Sequence, residues 1–420
     1  FPISRKQRAR LPLPRSPCTV LHGSSGGEEM GCGASAARPA ADSPTDGGAR
    51  QRAAVDYDSV ESLWKALASG DVFLLRGSWL VERAERGQLL PRRQDCPADA
   101  FIPLRELQKI HEESSAKPEY ADAKRAPVLA ISHFWRAREH PDPRGETLQL
   151  LGHALKERLP TYRQHGFSDV GLFLDWSSLH QSPRSEAEEN AFKRSLAWIN
   201  LWYAHALSTV YLVTETPEGI VPYHDRGWTS FELQLSYLIK LTDKFNIWPQ
   251  VVDLGSAAQS RPALAAPDAF GPGGACGNKT YTNGSDRERV AKKFKESCED
   301  IFGSVTELDY DSLGWGDAEV AALGTVLPLC HSLRRLDLSR NYFSRLPEGL
   351  GGLGALETLN LIDCPALAAL PASLGGLGAL KTLDLRYCYA LAALPASLGG
   401  LGALKTLDLR YCYALAALPA

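Results

Sequence analysis

The stretch SLGGLGALKTLDLRYCYALAALPA fills residues 373–396, and the same letters return unchanged at 397–420. Leu-Pro closes both units, at Leu394 and Leu418, and recurs upstream at Leu346 and Leu370, which sets a strict 24-residue period. Identity at a fixed spacing of this length predicts stacked units, each too small to bury its apolar face alone. Within a unit, Leu383 and Leu385 alternate with Thr382, Asp384 and Arg386. A period of two is that of a strand with one buried face. Leu336 and Leu338, Leu359 and Leu361, and Leu407 and Leu409 repeat the pattern, so all eight leucines are expected in the core.

The pattern LxxLxLxxC/NxxLxxLP over residues 333–420 resembles the leucine-rich repeat, closest to its plant type. The unit before it, DAEVAALGTVLPLCHSLRRLDLSRN (317–341), is similar to the ribonuclease-inhibitor type, which has a longer helical segment. The resemblance implies a solenoid over residues 305–420 whose concave face binds a protein partner. Thr382, Asp384, Arg386, Thr406, Asp408 and Arg410 would line that face. The last unit carries no polar cap, so the array is expected to be truncated at Ala420. Cys364, Cys388 and Cys412 share one position of the repeat and read as packing residues.

Upstream, short apolar runs alternate with helical stripes. VLAIS (128–132), VGLFLD (170–175) and TVYLVT (209–214) read as buried strands. Leu148, Leu151, Leu155 and Leu159 mark one helix, and Phe192, Leu196, Ile199 and Tyr203 a second. DRGWTSFELQL (225–235) starts a third helix, a strand is expected near 247–254 despite Pro249, and 286–302 reads as a surface helix. This order predicts an α/β domain at 128–304, a parallel sheet with helices on both faces. Residues 54–127 form an N-terminal extension, with a helix in SVESLWKALASG and DVFLLRGSWL as a strand entering a loop. Residues 255–285 are a Gly/Ala/Pro/Asn-rich insertion. In it, GPGGACGNKT imitates a phosphate loop, but Asn278 breaks the spacing, so none is expected.

Composition narrows the function classes. A formal net charge of -3 over 420 residues argues against bulk nucleic-acid binding. The content of 44% hydrophobic and 23% charged residues is that of a folded soluble protein. The most apolar run, Leu196 to Val213, contains Asn200, His205, Ser208 and Thr209, and reads as a buried helix and strand rather than a membrane span. Nine cysteines without a CxxC pair fit a reducing, cytoplasmic compartment, which leaves the sequons at Asn278 and Asn283 little weight. Residues 1–53 read as a leader and linker. The sole methionine, Met30, precedes GCGAS. Initiation there would place Gly31 for myristoylation and Cys32 for a second acyl chain. Two chains anchor stably where one binds only marginally. A membrane surface is therefore an expected partner, with a chance match in a disordered tail as the alternative.

The polar ends of the strands suggest a site. In an open parallel sheet, ligands bind outside the carboxyl ends of the strands. The first strand ends in Ser132, His133 and Trp135, and the second in Asp175, Trp176, His180 and Gln181. The third leads to His224, Asp225, Arg226, Trp228 and Glu232. Glu232 falls inside the apolar stripe of Trp228, Phe231, Leu235 and Ile239, where an unpaired charge is costly. His133 and His180 lack metal-ligand spacing, and no metal is expected.

VLAISHFWR, VGLFLDWSSLHQ, NAFKRSLAWINLWYAHALSTVYLV and RGWTSFEL resemble, in order, the motifs of the heterokaryon-incompatibility (HET) domain. That domain is itself similar to the Toll/interleukin-1 receptor (TIR) domain, a flavodoxin-like fold. The resemblance covers residues 128–240 and implies signalling by self-association. Its alternative implication is cleavage of NAD, as substrate, to nicotinamide and ADP-ribose. Trp228 and Glu232 match a Trp-x-x-x-Glu element, in which Glu232 would be the catalytic carboxylate. Ser132, His133, Trp135, Asp175 and Trp228 would form the pocket. Thr229 and Glu232 also fit a capping box, a purely structural role that Arg226 could assist by pairing.

Overall fold

The structure is a computed structural model that describes residues 55–116, 125–240, 248–256 and 261–416; Gly31 and Cys32 lie outside them. The described residues form one compact unit.

The extension is integral to this unit. Helix α1 (Val60–Ala68) buries Leu63, Trp64, Ala66 and Leu67. Strand β1 (Leu75–Arg76) is followed directly by helix α2 (Gly77–Glu85), where a loop is expected from the sequence. The reason is a cap supplied from far along the chain. Asp169 accepts hydrogen bonds from the Ser78 backbone N–H and from its hydroxyl, at 3.1 and 2.6 Å. Those bonds hold the first turn that local sequence leaves open. Helix α3 (Leu104–Ser115) buries Leu107 and Ile110.

Strand β2 (Val128–His133) is buried along its whole length. Helix α4 (Glu146–Gln164) carries the expected leucine stripe and leads to strand β3 (Gly171–Phe173) and the single turn α5 (Asp175–Ser178). The second expected helix is broken in two. Helix α6 (Glu186–Ser195) begins with a capping box of Ser185 and Glu188 and gives way to a 3-10 turn at Leu196–Trp198. Helix α7 (Ile199–Ala204) then buries Trp202, which stacks on Phe173 at 5.2 Å. Strand β4 (Thr209–Val213), helix α8 (Gly227–Ser236), strand β5 (Val251–Asp253) and helix α9 (Asp286–Ser304) complete this part.

The five strands run in the order β1-β3-β2-β4-β5. All neighbours are parallel except β1, which pairs antiparallel with β3, Leu75 opposite Leu172. The chain reverses its direction of winding at β2 and β4, which lie side by side with His133 opposite Val213. Helix α2 packs on α4 where a Cβ at Gly152 would lie 2.3 Å from the Cβ of Ala84. Gly152→Val is expected to destabilise the protein by about 2–3 kcal/mol through overpacking. A denaturant midpoint unchanged from wild type would show that the two helices separate freely.

The repeats form a second parallel sheet, β6 (Glu307–Asp309), β7 (Arg335–Asp337), β8 (Thr358–Asn360), β9 (Thr382–Asp384) and β10 (Thr406–Asp408), with helix α10 (Asp317–Gly324) after β6. Thr358, Thr382 and Thr406 stand side by side, as one period apart requires. The core leucines of β7 to β9 are buried, whereas Leu407 and Leu409 at β10 are only partly so. The glycines of SLGGLGAL have a steric cause: a Cβ on Gly351 would sit 2.1 Å from the Ser373 carbonyl oxygen, and one on Gly375 2.6 Å from that of Ser397. Only glycine lets successive turns stack so closely. Cys364, Cys388 and Cys412 point inward, each thiol toward a carbonyl of the preceding unit. The first repeat seats on the end of α8: Tyr310 donates to the Leu238 carbonyl at 2.7 Å, and Arg261 lies 4.7 Å over the Tyr310 ring.

Candidate functional site

The carboxyl ends of β2 and β3 and the first turns of α8 open into a cleft of about 620 Å³ lined by His133, Trp135, Asp175, Trp228 and Glu232, among others. Five of the six residues expected at the site therefore share one wall system. Ser132 does not. It is fully buried behind the wall, and its hydroxyl donates to Glu232 Oε2 at 2.5 Å.

Helix α8 presents Glu232, and its start is set by tertiary contacts. The Gly227 N–H donates to the Thr280 carbonyl at 2.9 Å, and the Thr280 N–H to the Asp225 carbonyl at 2.7 Å. The Tyr281 ring lies against Gly227, where a Cβ would come within 1.9 Å of it. The helix thus begins at Gly227 with Arg226 as its N-cap residue, three positions before the start a Thr229 cap requires. This overturns the capping box. Thr229 donates instead to the Tyr223 carbonyl, and Glu232 lies beyond the first turn with its carboxyl on Ser132. Arg226 donates to the Val221 carbonyl at 2.9 Å rather than pairing with Glu232.

The two carboxyls differ in their surroundings. Asp175 accepts from His133 Nε2 at 3.1 Å, Trp135 Nε1 at 3.0 Å and the Trp176 backbone N–H at 2.7 Å. Burial alone would raise its pKa, but these donors more than offset that and hold it below the usual carboxylate range. Glu232 meets hydroxyls: Ser132, itself 2.6 Å from the Tyr223 hydroxyl, and Tyr203. Desolvation, reinforced by the Asp175 charge, pushes the Glu232 carboxyl up to about 8 against those hydrogen bonds. Burial and the charge of Glu232 likewise push the Tyr203 hydroxyl well above its ordinary value. Trp228 donates to Asp286 at 3.0 Å.

The sequence reading missed several cleft residues. Arg136, Arg138, Arg184, Arg226 and Arg289 line it beside three carboxyl groups, Asp175, Glu232 and Asp286. Arg136, Arg184 and Arg289 pair with Glu146, Glu189 and Asp286 at 2.7, 3.1 and 3.3 Å, which leaves Arg138 and Arg226 as the positive charges of the wall outside these pairs. Phe192 and Leu196 were expected in a core stripe, but the break between α6 and α7 turns them to the cleft. Tyr203 reads as core packing, and it is buried; its hydroxyl donates to the Ile131 carbonyl at 3.3 Å and feels the charge of Glu232. Among the described residues no group of three or more His, Cys, Asp or Glu could hold a metal.

On the repeats, Thr382 and Asp384 stand beside Thr406 and Asp408 in register. Arg386 and Arg410 follow in the turns and clasp Asp384 and Asp408 at 2.8 and 2.5 Å. Next to this ladder is one the sequence reading did not single out: Tyr387 stacks on Tyr411 at 4.6 Å and Tyr389 on Tyr413 at 5.8 Å. The identity of the two units was its signal, because residues one period apart stack.

Comparison with known proteins agrees on the repeats. The leucine-rich repeat family matches residues 332–353, so the chain carries a leucine-rich repeat. TMV resistance protein N of Nicotiana glutinosa is 38% identical over 78 residues, 18% of this chain and 7% of that protein. The chain thus spans a small part of that relative's length. Among solved structures, the leucine-rich repeat domain of the type III effector XopL is 17% identical, covering 57% of this chain and 81% of that one, with a TM-score of 0.24. The plant peptide hormone receptor RGFR1 in complex with RGF2 is 21% identical, covering 26% of each chain, with a TM-score of 0.14.

Proposed function

We propose that this is a defence-type signalling protein in which the repeats bind a protein partner and a HET/TIR-like α/β domain acts on a nucleotide. The similarity to a resistance protein and the Asp/Arg and tyrosine ladders support the first half. One observation carries the second half: Glu232 and Asp175 meet in a single arginine-rich cleft at the carboxyl edge of the parallel strands. Arginine side chains such as Arg138 and Arg226 suit a phosphate-bearing ligand, and Trp135 and Trp228 offer faces for a ring. With the motif resemblance, this favours cleavage of NAD at a glycosidic bond with Glu232 taking part. Self-association of the α/β domain would pass on partner binding, and acylation at Gly31 and Cys32 would hold the chain at a membrane facing the cytoplasm.

Incubation of the full chain with NAD tests this reading. Nicotinamide release is expected from the wild type and its near-complete loss in the double variant Asp175→Ala/Glu232→Ala, which removes both carboxyls of the cleft. Absence of release from concentrated wild-type protein removes the enzymatic reading and leaves assembly.

A further inference from the structure

Two carboxyl groups in one cleft need not do the same work. Two groups on Asp175 can only give a hydrogen bond, Trp135 Nε1 to one carboxyl oxygen and the Trp176 backbone N–H to the other, and His133 Nε2 gives a third in the tautomer that carries its proton there. That setting suits an ionised acceptor. The groups around Glu232 are hydroxyls of Ser132 and Tyr203, with Tyr223 behind Ser132. A hydroxyl can donate or accept, so this setting accommodates the protonated acid. From the other elements facing the cleft, Arg136 and Arg138 follow β2, Arg184 precedes α6, Arg226 precedes α8, and Asp286 and Arg289 lie on α9 with an ion pair at 3.3 Å. The charge that acts on the Glu232 carboxyl is that of Asp175, whose ionisation further favours the neutral form.

We propose that Glu232 enters the reaction as a proton-donating acid and Asp175 as the charged carboxylate, so that the cleft expels leaving groups that need a proton, such as a purine base, as well as nicotinamide. This rests on the reading of the cleft as a site of glycosidic cleavage. The C1′–N bond breaks, its electron pair goes to the departing purine, and the purine takes the Glu232 proton on a ring nitrogen. Asp175 faces the positive charge left on the ribosyl group. Water then adds to C1′ and returns a proton to Glu232. Nicotinamide needs no such help, because its ring is cationic in the substrate and leaves neutral.

NAD contains both kinds of glycosidic bond, so one probe separates the two. The full chain is incubated with NAD, and free adenine and free nicotinamide are quantified by chromatography. Adenine is expected, with a rate that falls as pH rises through the Glu232 pKa. Glu232→Gln, isosteric but unable to give a proton, is expected to lower adenine release by about 10²-fold or more. Nicotinamide without adenine overturns the acid role while glycosidic cleavage stands, and neither base overturns both. Adenine release undiminished in a folded Glu232→Gln variant removes Glu232 as the donor. The wild-type product ratio decides the matter even if that variant fails to fold.

Discussion

Asn341→Ala is expected to destabilise the protein by about 4 kcal/mol or more. Asn341 is fully buried at the first turn of the array. Its amide oxygen accepts from the N–H groups of Leu313 and Trp315, at 3.2 and 2.9 Å. Its amide nitrogen donates to the carbonyls of Tyr310, Leu338 and Ser339, at 2.8, 2.9 and 3.2 Å. Alanine would strand these backbone groups, each costing roughly 1–3 kcal/mol when buried and unpaired. The same side chain ties the turn after Tyr310 to β7, so the junction with α8 would loosen as well. Chemical denaturation of Asn341→Ala and Asn341→Asp checks this. Aspartate keeps the acceptor and loses the donors, so an intermediate loss is expected. A drop under 1 kcal/mol for alanine would mean that water replaces the side chain.

Glu232→Gln is expected to stabilise the protein, most of all in alkaline solution. The folded carboxyl titrates at about 8, against an ordinary value of 4.5. Below 4.5 the group is protonated in both states, and its contribution is fully present. Between these values the unfolded chain ionises while the folded one keeps its proton, so stability falls as pH rises toward about 8. The full window corresponds to about 5 kcal/mol. Partial exposure to the cleft brings the expected loss to about 3 kcal/mol. Glutamine does not titrate, so the variant should gain most at and above pH 8 and little near pH 4. Unfolding midpoints of both proteins across this range measure it. Parallel curves would show that Glu232 ionises normally in the fold.

Much of the fold is legible in particular residues. The leucines of the repeat lie inward at the expected period because a strand alternates faces wherever it is placed. Val128–His133 and Thr209–Val213 are strands because both of their faces are buried, which their apolar runs announce. Two elements were misread for one reason. Helix α2 and the start of α8 are set by residues distant in sequence, Asp169 for the first and Thr280 with Tyr281 for the second. A local capping pattern such as Thr229 to Glu232 carries no record of such competitors. The cleft was legible as a meeting of strand ends, but its arginines were not. Arg136, Arg184 and Arg226 sit in loops and caps whose path only the assembled sheet defines.

The sequence by itself determined the solenoid, since identical units at a fixed period can bury their leucines only against one another. It also determined that Ser132, His133, Asp175 and Glu232 lie toward one edge, because strand polarity in a parallel sheet places every carboxyl end there. Only the tertiary structure decided what Glu232 is. Its identity as a carboxyl is written in the chain, but its protonation depends on the desolvation, the hydroxyls of Ser132 and Tyr203, and the charge of Asp175 around it. Those neighbours come from three separate elements, β2, α5 and α7, and their distances are a property of packing that no local pattern encodes.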